Sequence, residues 1–336
     1  MVITQTPFRM SFFGGGTDFP AFFEEYGGSV ISTTFDKYCF VTVSHLPRFF
    51  DYKEQITYSK IERKNTVEEI EHPAVREAMK YLDMHELRMV YEADLPARSG
   101  LGTSSSFAVG MLNAFYALKG KHADKMQLAK DAIYVERNLC KESGGVQDQI
   151  AASFGGLNRI DLSSSGYAVH PIIMPKERKK ELCDHLLLFF TGFSRYSSDI
   201  AKDQESATKN RTAELKEMLA LVDEVEQVLT SKCSLNEFGR MLDYTWQIKR
   251  KITDKISNDT IDGLYEAAKK AGALGGKLLG AGGGGFLLFY IEKDKQDAVK
   301  ERLSELLHVP FEFEDIGTRI LYYKAEDYDM HKSSHI

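Results

Sequence analysis

A surplus of positive charge is missing from this chain. Its 43 lysines and arginines are outnumbered by 49 acids, for a formal net charge of −6 and a pI near 5.9. A nucleic-acid or anionic-membrane surface needs the opposite balance, so a small-molecule partner is expected instead. Cysteine is sparse as well. Cys39, Cys140, Cys183 and Cys233 lie far apart, with neither a C-x-x-C pair nor a Cys/His ligand cluster, which fits reduced thiols in a cytoplasmic protein. Long apolar runs are absent: Leu186 to Phe190 and Phe286 to Ile291 are strand-length and too short to cross a bilayer. Residues 1–20 carry Arg9 and three consecutive glycines in place of a charged start and an apolar run, so no secretory signal is expected. Internal repeats and low-complexity linkers are also lacking.

What is present is enough for a large core. With 336 residues, 43% hydrophobic and 27% charged, the chain has the length for two packed domains. Short β-branched and aromatic runs at Val30 to Thr34, Cys39 to Ser44, Arg88 to Glu92, Leu186 to Thr191 and Phe286 to Ile291 read as strands. Helical patterns lie between them, which predicts a mixed α/β (α+β) fold. From Ser104 to Leu118, the residues Phe107, Met111, Phe115 and Leu118 share one helical face, and Gly120 stops the pattern. A second helix is expected from Asp124, its N-cap, to Lys141, just before Gly144 and Gly145. The polar stretch 198–257 reads as two or three amphipathic helices. A boundary after Pro171 and Pro175 divides the chain into domains 1–175 and 176–336.

Three glycine-rich segments stand out. The first, Thr6 to Asp18, is an apolar run that breaks into Gly14-Gly15-Gly16 and then offers Thr17 and Asp18. Glycines let a ligand approach the main chain, and a carboxylate there suits sugar hydroxyls, although a tight turn with Asp18 capping the next helix explains the same residues. The second, Leu95 to Ser106, runs through Gly100-Leu101-Gly102-Thr103-Ser104-Ser105 directly into the expected helix. Backbone N–H groups at a helix start beside glycines and hydroxyls suit a polyphosphate, and three serines exceed what an N-cap needs. The third, Gly275 to Phe286, literally contains G-x-G-x-x-G, but a helix precedes it and a strand follows, which is wrong for a dinucleotide site. It also fails as a phosphate-binding Walker loop, because Ala271 and Leu278 occupy positions that need Gly and Ser or Thr.

Two acids occupy unexpected places. Glu136 lies between Ile133 and Cys140, at the centre of its helix's apolar face. Burying an unpaired carboxylate costs roughly several kcal/mol, so either an internal salt bridge or a metal ion should accompany it. Asp148 falls in the first turn of a short helix that ends at Gly155-Gly156. The helix dipole favours an acid there for structural reasons alone, and the same placement suits a general base for a hydroxyl proton.

Together these segments resemble the GHMP kinase superfamily. P-x-R with G-G-G-T-D, then P-x-x-x-G-L-G-T-S-S, then K-L-L-G-A-G-G-G-G-F occur in that order across essentially the whole chain. The resemblance implies a two-domain fold with the active site in the interdomain cleft. ATP phosphates would lie on Gly100, Leu101, Gly102, Thr103, Ser104, Ser105 and Ser106, with Mg²⁺ on Ser104 and Glu136. Asp148 would be the catalytic base and Arg9 the arginine beside it. Gly16, Thr17 and Asp18 would hold the sugar, with Gly145, Gly282 and Gly283 as further substrate contacts, and the third motif would pack against the phosphate loop. Thr103 departs from the serine more common at its position.

Within the superfamily, Ser11 to Asp18, Glu142 to Gln149 and Thr191 to Arg195 are most similar to heptose-phosphate kinases, with L-fucose kinases nearby. Such a relative transfers phosphate to the anomeric hydroxyl of D-glycero-D-manno-heptose 7-phosphate. Another sugar 1-kinase, a kinase for mevalonate or a non-catalytic sugar sensor are the alternatives. An acceptor phosphate would need its own cations, for which Arg195 and the Lys249-Arg250-Lys251 cluster are candidates by charge alone. Such residues are otherwise solvated surface.

Overall fold

The computed structural model describes residues 1–97, 99–192 and 197–325. Arg98 and Arg195 lie outside them. The first half runs β1 (Val2–Phe13), α1 (Pro20–Tyr26), β2 (Gly28–His45), β3 (Glu54–Thr57), β4 (Ile61–Lys64), α2 (Pro73–Tyr81), β5 (Leu87–Ala93), α3 (Thr103–Leu118), α4 (Lys125–Ile133), α5 (Gln147–Phe154), β6 (Asn158–Ser163) and β7 (Gly166–Pro171). The second runs α6 (Lys176–Asp184), β8 (Leu186–Phe190), α7 (Ser197–Ala207), α8 (Thr212–Thr230), α9 (Asn236–Lys249), α10 (Asp259–Ala271), β9 (Ala273–Leu278), β10 (Phe286–Ile291), α11 (Gln296–Arg302), β11 (Leu307–His308), β12 (Phe313–Glu314) and β13 (Arg319–Tyr323).

Two sheets organise these elements. The larger follows the order β13-β1-β2-β5-β3-β4, with β6, β7 and β12 attached through β2, and only its β3–β5 pair is parallel. The smaller, β11-β8-β10-β9, is antiparallel throughout. The runs expected as separate strands at Val30 to Thr34 and Cys39 to Ser44 are parts of β2, which pairs along β1 with register shifts at Pro7/Phe8 and Ser11/Phe13.

The burial of β1 explains where a site can form. Its first residues alternate between buried and half-exposed, whereas Phe8 to Phe13 are buried without interruption. That change of period marks the point where a second layer covers the other face of the sheet. Phe8, Met10, Phe12 and Phe13 share one core with Leu188, Phe238, Phe286 and Leu288 of the later half. On the opposite face α3 packs against β1 and β2 and is flanked by α4 and α5. The one-sided stripe read from its sequence therefore understates its burial, since small residues let it be enclosed nearly all round. Gly110 is one such residue: a Cβ there would stand 2.6 Å from Thr6 Oγ1.

The helix expected to run unbroken from Asp124 to Lys141 is α4 followed by a π-helical turn, Tyr134–Leu139. Asp124 caps it as expected, accepting from the Gln127 amide at 2.8 Å. The expected division at residue 175 falls between β7 and α6, and β12 and β13 from beyond it return to the larger sheet. Among the described residues no helix is long and apolar enough to cross a membrane.

Candidate active site

The N-terminus of α3 opens at the seam between the two layers. Gly102 precedes the first turn in a left-handed conformation (φ 71°) and supplies no capping side chain. The first-turn amides of a helix have no intrahelical acceptor, so this end presents N–H groups and positive dipole to a cleft. The third glycine segment supports the loop from behind. A Cβ on Gly100 would meet Leu279 O at 2.4 Å, and one on Gly285 would meet Ser99 O at 2.2 Å. This is the backbone-to-backbone packing for which its glycines are needed, and the segment is a turn between β9 and β10.

Glu136 is carried on the π-helical turn facing the start of α3, and only 3% of it is exposed. Ser104 Oγ donates to its Oε1 at 2.9 Å, and Ser105 Oγ and Gln149 Nε2 donate to its Oε2 at 2.8 and 2.6 Å. All three partners are neutral. The internal salt bridge left open by the sequence is not formed among the described residues, and the adjacent Arg137 pairs with Glu205 at 2.8 Å instead. Burial, with Glu142 nearby, pushes the carboxyl up to about 7, while the three donors pull it down.

The second acid has the opposite surroundings. Arg9, 4% exposed on β1, donates from Nε to Asp148 Oδ1 and from Nη2 to Oδ2, both at 2.6 Å. Its remaining Nη1 donates to Gly100 O at 2.8 Å. Gly102 lies directly over this pair, where an added Cβ would stand 3.1 Å from Arg9 Cγ and 3.4 Å from Asp148 Oδ2. The arginine thus ties the acid of α5 to the loop that starts α3. Asp148 keeps 24% of its side chain exposed on the cleft side.

Asp18 completes this wall. It accepts from the Gly16 amide at 2.8 Å and from Gln147 Nε2 at 2.9 Å. Burial raises its carboxyl from the ordinary value, the Gly16 amide opposes the rise, and Asp148 adds to it. Gly145 is glycine because a Cβ would fall 1.7 Å from Asp18 Oδ2.

The cleft therefore gathers Arg9, Gly16, Asp18, Gly100, Gly102, Thr103, Ser104, Ser105, Glu136, Gly145 and Asp148. Other expected residues face elsewhere. Thr17 donates to Gly14 O and Ser29 O at 2.8 and 3.0 Å and is spent on shaping its loop. Ser106 donates to Pro7 O at 2.9 Å, and Leu101 is core. Gly282 and Gly283 pack on Ile256, the latter through an N–H···O bond of 2.9 Å, and Gly280 and Ala281 line the cleft in their place.

Of the basic cluster only Lys249 reaches the cleft; Arg250 turns to Asp262 at 3.3 Å and Lys251 is exposed. Gln149, Gln147 and Ser11 were not singled out in the sequence. Gln147 and Gln149 flank Asp148 in the chain, and that adjacency is the signal that could have found them; their burial appears only in the fold.

Residues 65–156 match the model of the GHMP kinases N terminal domain, and residues 229–309 that of the GHMP kinases C terminal domain. The chain is 30% identical over 311 residues to the D-glycero-alpha-D-manno-heptose 7-phosphate kinase of Campylobacter jejuni, covering 87% of this chain and 90% of that protein. The chain belongs to the GHMP kinase family. This GHMP kinase is also 30% identical over 227 residues to the L-fucokinase/L-fucose-1-P guanylyltransferase of Bacteroides fragilis, spanning 62% of its own length and 22% of that protein. Its fold matches the crystal structure of a D-glycero-D-manno-heptose 1-phosphate kinase from Bacteroides thetaiotaomicron with a TM-score of 0.79 at 23% identity, covering 97% of this chain and all of that one. The protein is a sugar kinase, a phosphotransferase acting on a hydroxyl group.

Proposed function

We propose that this GHMP kinase transfers the terminal phosphoryl group of ATP to the anomeric hydroxyl of D-glycero-D-manno-heptose 7-phosphate. The observation that carries the reading is one cleft holding a helix N-terminus, a buried carboxylate whose partners among the described residues are neutral, and a second carboxylate gripped by arginine. The similarity to the Campylobacter jejuni enzyme supports the choice of acceptor.

ATP phosphates lie on the Gly100–Ser105 turn, where N–H groups and the α3 dipole favour anions. Ser104 and Glu136 fit a Mg²⁺ ion. Both offer hard oxygen donors, and Glu136 has no cation partner among the described residues although its burial calls for one. No group of three or more acid, His or Cys ligands exists among the described residues, so phosphate oxygens and water would supply the other positions. Such an ion neutralises charge on the transferring group.

Asp148 accepts the proton of the attacking hydroxyl as its oxygen bonds to phosphorus and the bond to ADP breaks. Arg9 fixes the orientation of that carboxylate. Asp18 accepts hydrogen bonds from the sugar.

A panel of sugars and sugar phosphates assayed for ATP consumption, with product NMR, tests the proposal. The expected result is turnover on the heptose 7-phosphate with new phosphate at the anomeric carbon; consumption of ATP with L-fucose alone would overturn it. L-Fucose is the second reading because of the Bacteroides fragilis relative.

A further inference from the structure

Resting on that reading, we infer that Lys249, with Ser11 and Gln147 beside it, recognises the hydroxyls of the acceptor sugar and sets acceptor specificity. Lys249 leaves the end of α9, is 6% exposed and lines the cleft. An ammonium carries three donors, and its only hydrogen bond among the described residues goes to Gly280 O at 2.8 Å. Two donors are left to spend. A Cβ built on Gly15 would stand 3.8 Å from Lys249 Nζ and 3.6 Å from Ser11 Oγ, which places both polar heads around this one glycine at the cleft wall.

Ser11 Oγ and Gln147 Oε1 are both buried without a hydrogen-bond partner among the described residues. Such groups are rare in folded proteins and call for a ligand or an explanation. The amide nitrogen of Gln147 is already committed to Asp18. The wall therefore offers unspent donors on Lys249, an unspent hydroxyl on Ser11 and an unspent acceptor on Gln147. A polyol, whose every hydroxyl both donates and accepts, satisfies all of them.

A phosphate is the poorer fit there. Asp18 and Asp148 both act on the ammonium, and Arg9 pairs only with Asp148, so a dianion would meet the Asp18 carboxylate uncompensated. Burial pushes the Lys249 amine down to about 8; Asp18 and Asp148 pull it up, while Arg9 pushes it down. Lys277, buried on β9 with its Nζ donating to Phe12 O at 2.7 Å, lies near as well, and burial, with Lys249 and Arg9 beside it, holds its amine well below the ordinary lysine value. The charged form of Lys249 is lost as pH rises through 8, and acceptor binding weakens with it.

The test compares wild type, Lys249→Met and Ser11→Ala on the best acceptor of the panel. Expected are a rise in acceptor KM of about tenfold or more for Lys249→Met and of a few-fold for Ser11→Ala, with the KM for ATP changed less than about twofold. The inhibition constant of the dephosphorylated acceptor should rise in parallel. Wild-type acceptor KM should climb above pH 8, and the climb should vanish in Lys249→Met.

Equal rises in both KM values would make Lys249 a mere anchor for the Gly280 loop and overturn the inference. A loss confined to phosphorylated acceptors would overturn it too, reassigning the lysine to phosphate. Ser11→Ala removes a single oxygen and guards against misreading a folding defect. If wild type phosphorylates no sugar, the kinase reading fails and takes this inference with it; if it does and both variants keep its KM, this inference alone fails.

Discussion

Glu136 and Asp148 are two carboxylates beside the same helix start, yet their partners differ in kind. Glu136 is enclosed and touches two hydroxyls and an amide, so no cation among the described residues balances its charge. Asp148 is partly open and held at both oxygens by Arg9. On the proposed function, the acid surrounded by neutral donors would hold a cation that comes and goes with the ligand, and the acid clasped by a resident guanidinium would keep one orientation. The difference would then separate a binding task from a positioning task within a single cleft.

Three substitutions would break or sharpen this contrast. Asp148→Asn should have the largest effect, lowering turnover by about 10³-fold while leaving ATP affinity intact, as a titration with a nucleotide analogue would record. Retained turnover would remove the distinction.

Glu136→Gln should raise the Mg²⁺ concentration for half-maximal activity by about 10- to 100-fold. It should also change stability in the opposite sense. The folded carboxyl is raised from 4.5 to about 7, so its contribution is fully present below 4.5 and is lost as pH rises through 7. The metal-free protein should therefore lose of order 3 kcal/mol between those limits, and the glutamine variant should show no such loss in thermal unfolding. Ser105→Ala should act least, weakening Mg²⁺ dependence by about fivefold through one lost hydrogen bond.

Much of this cleft could be read from residue types. The glycine segments, the inward-facing Glu136 and the first-turn Asp148 are local patterns, and α3 with its preceding loop follows from small residues and hydroxyls in sequence. Direction was harder to read. Thr17 and Ser106 are the same chemical type as Ser104 and Ser105, and only the fold turns the first pair inward and the second toward Glu136. The π-helical turn was hidden because a single turn with i→i+5 bonds has no residue-type signature of its own and sits at the end of an otherwise regular helix. Strands β12 and β13 are short and pair with partners far away in the chain, where no local signal exists. Lys249 stood out in the sequence only as part of a basic cluster; its burial depends on α9 docking against β9.

The pairing of β13 with β1 also bears on synthesis. The edge of β1 covered by Arg319 to Tyr323 belongs to the strand that carries Arg9, and Thr6 Oγ1 lies 2.9 Å from Thr318 Oγ1. A ribosome makes β1 before β13, so that edge waits with its amides and carbonyls unmatched until residues 14–318 have followed it. Nascent chains stalled before residue 319 should be the form that chaperones hold and that aggregates most readily, although every residue gathered in the cleft has already been made.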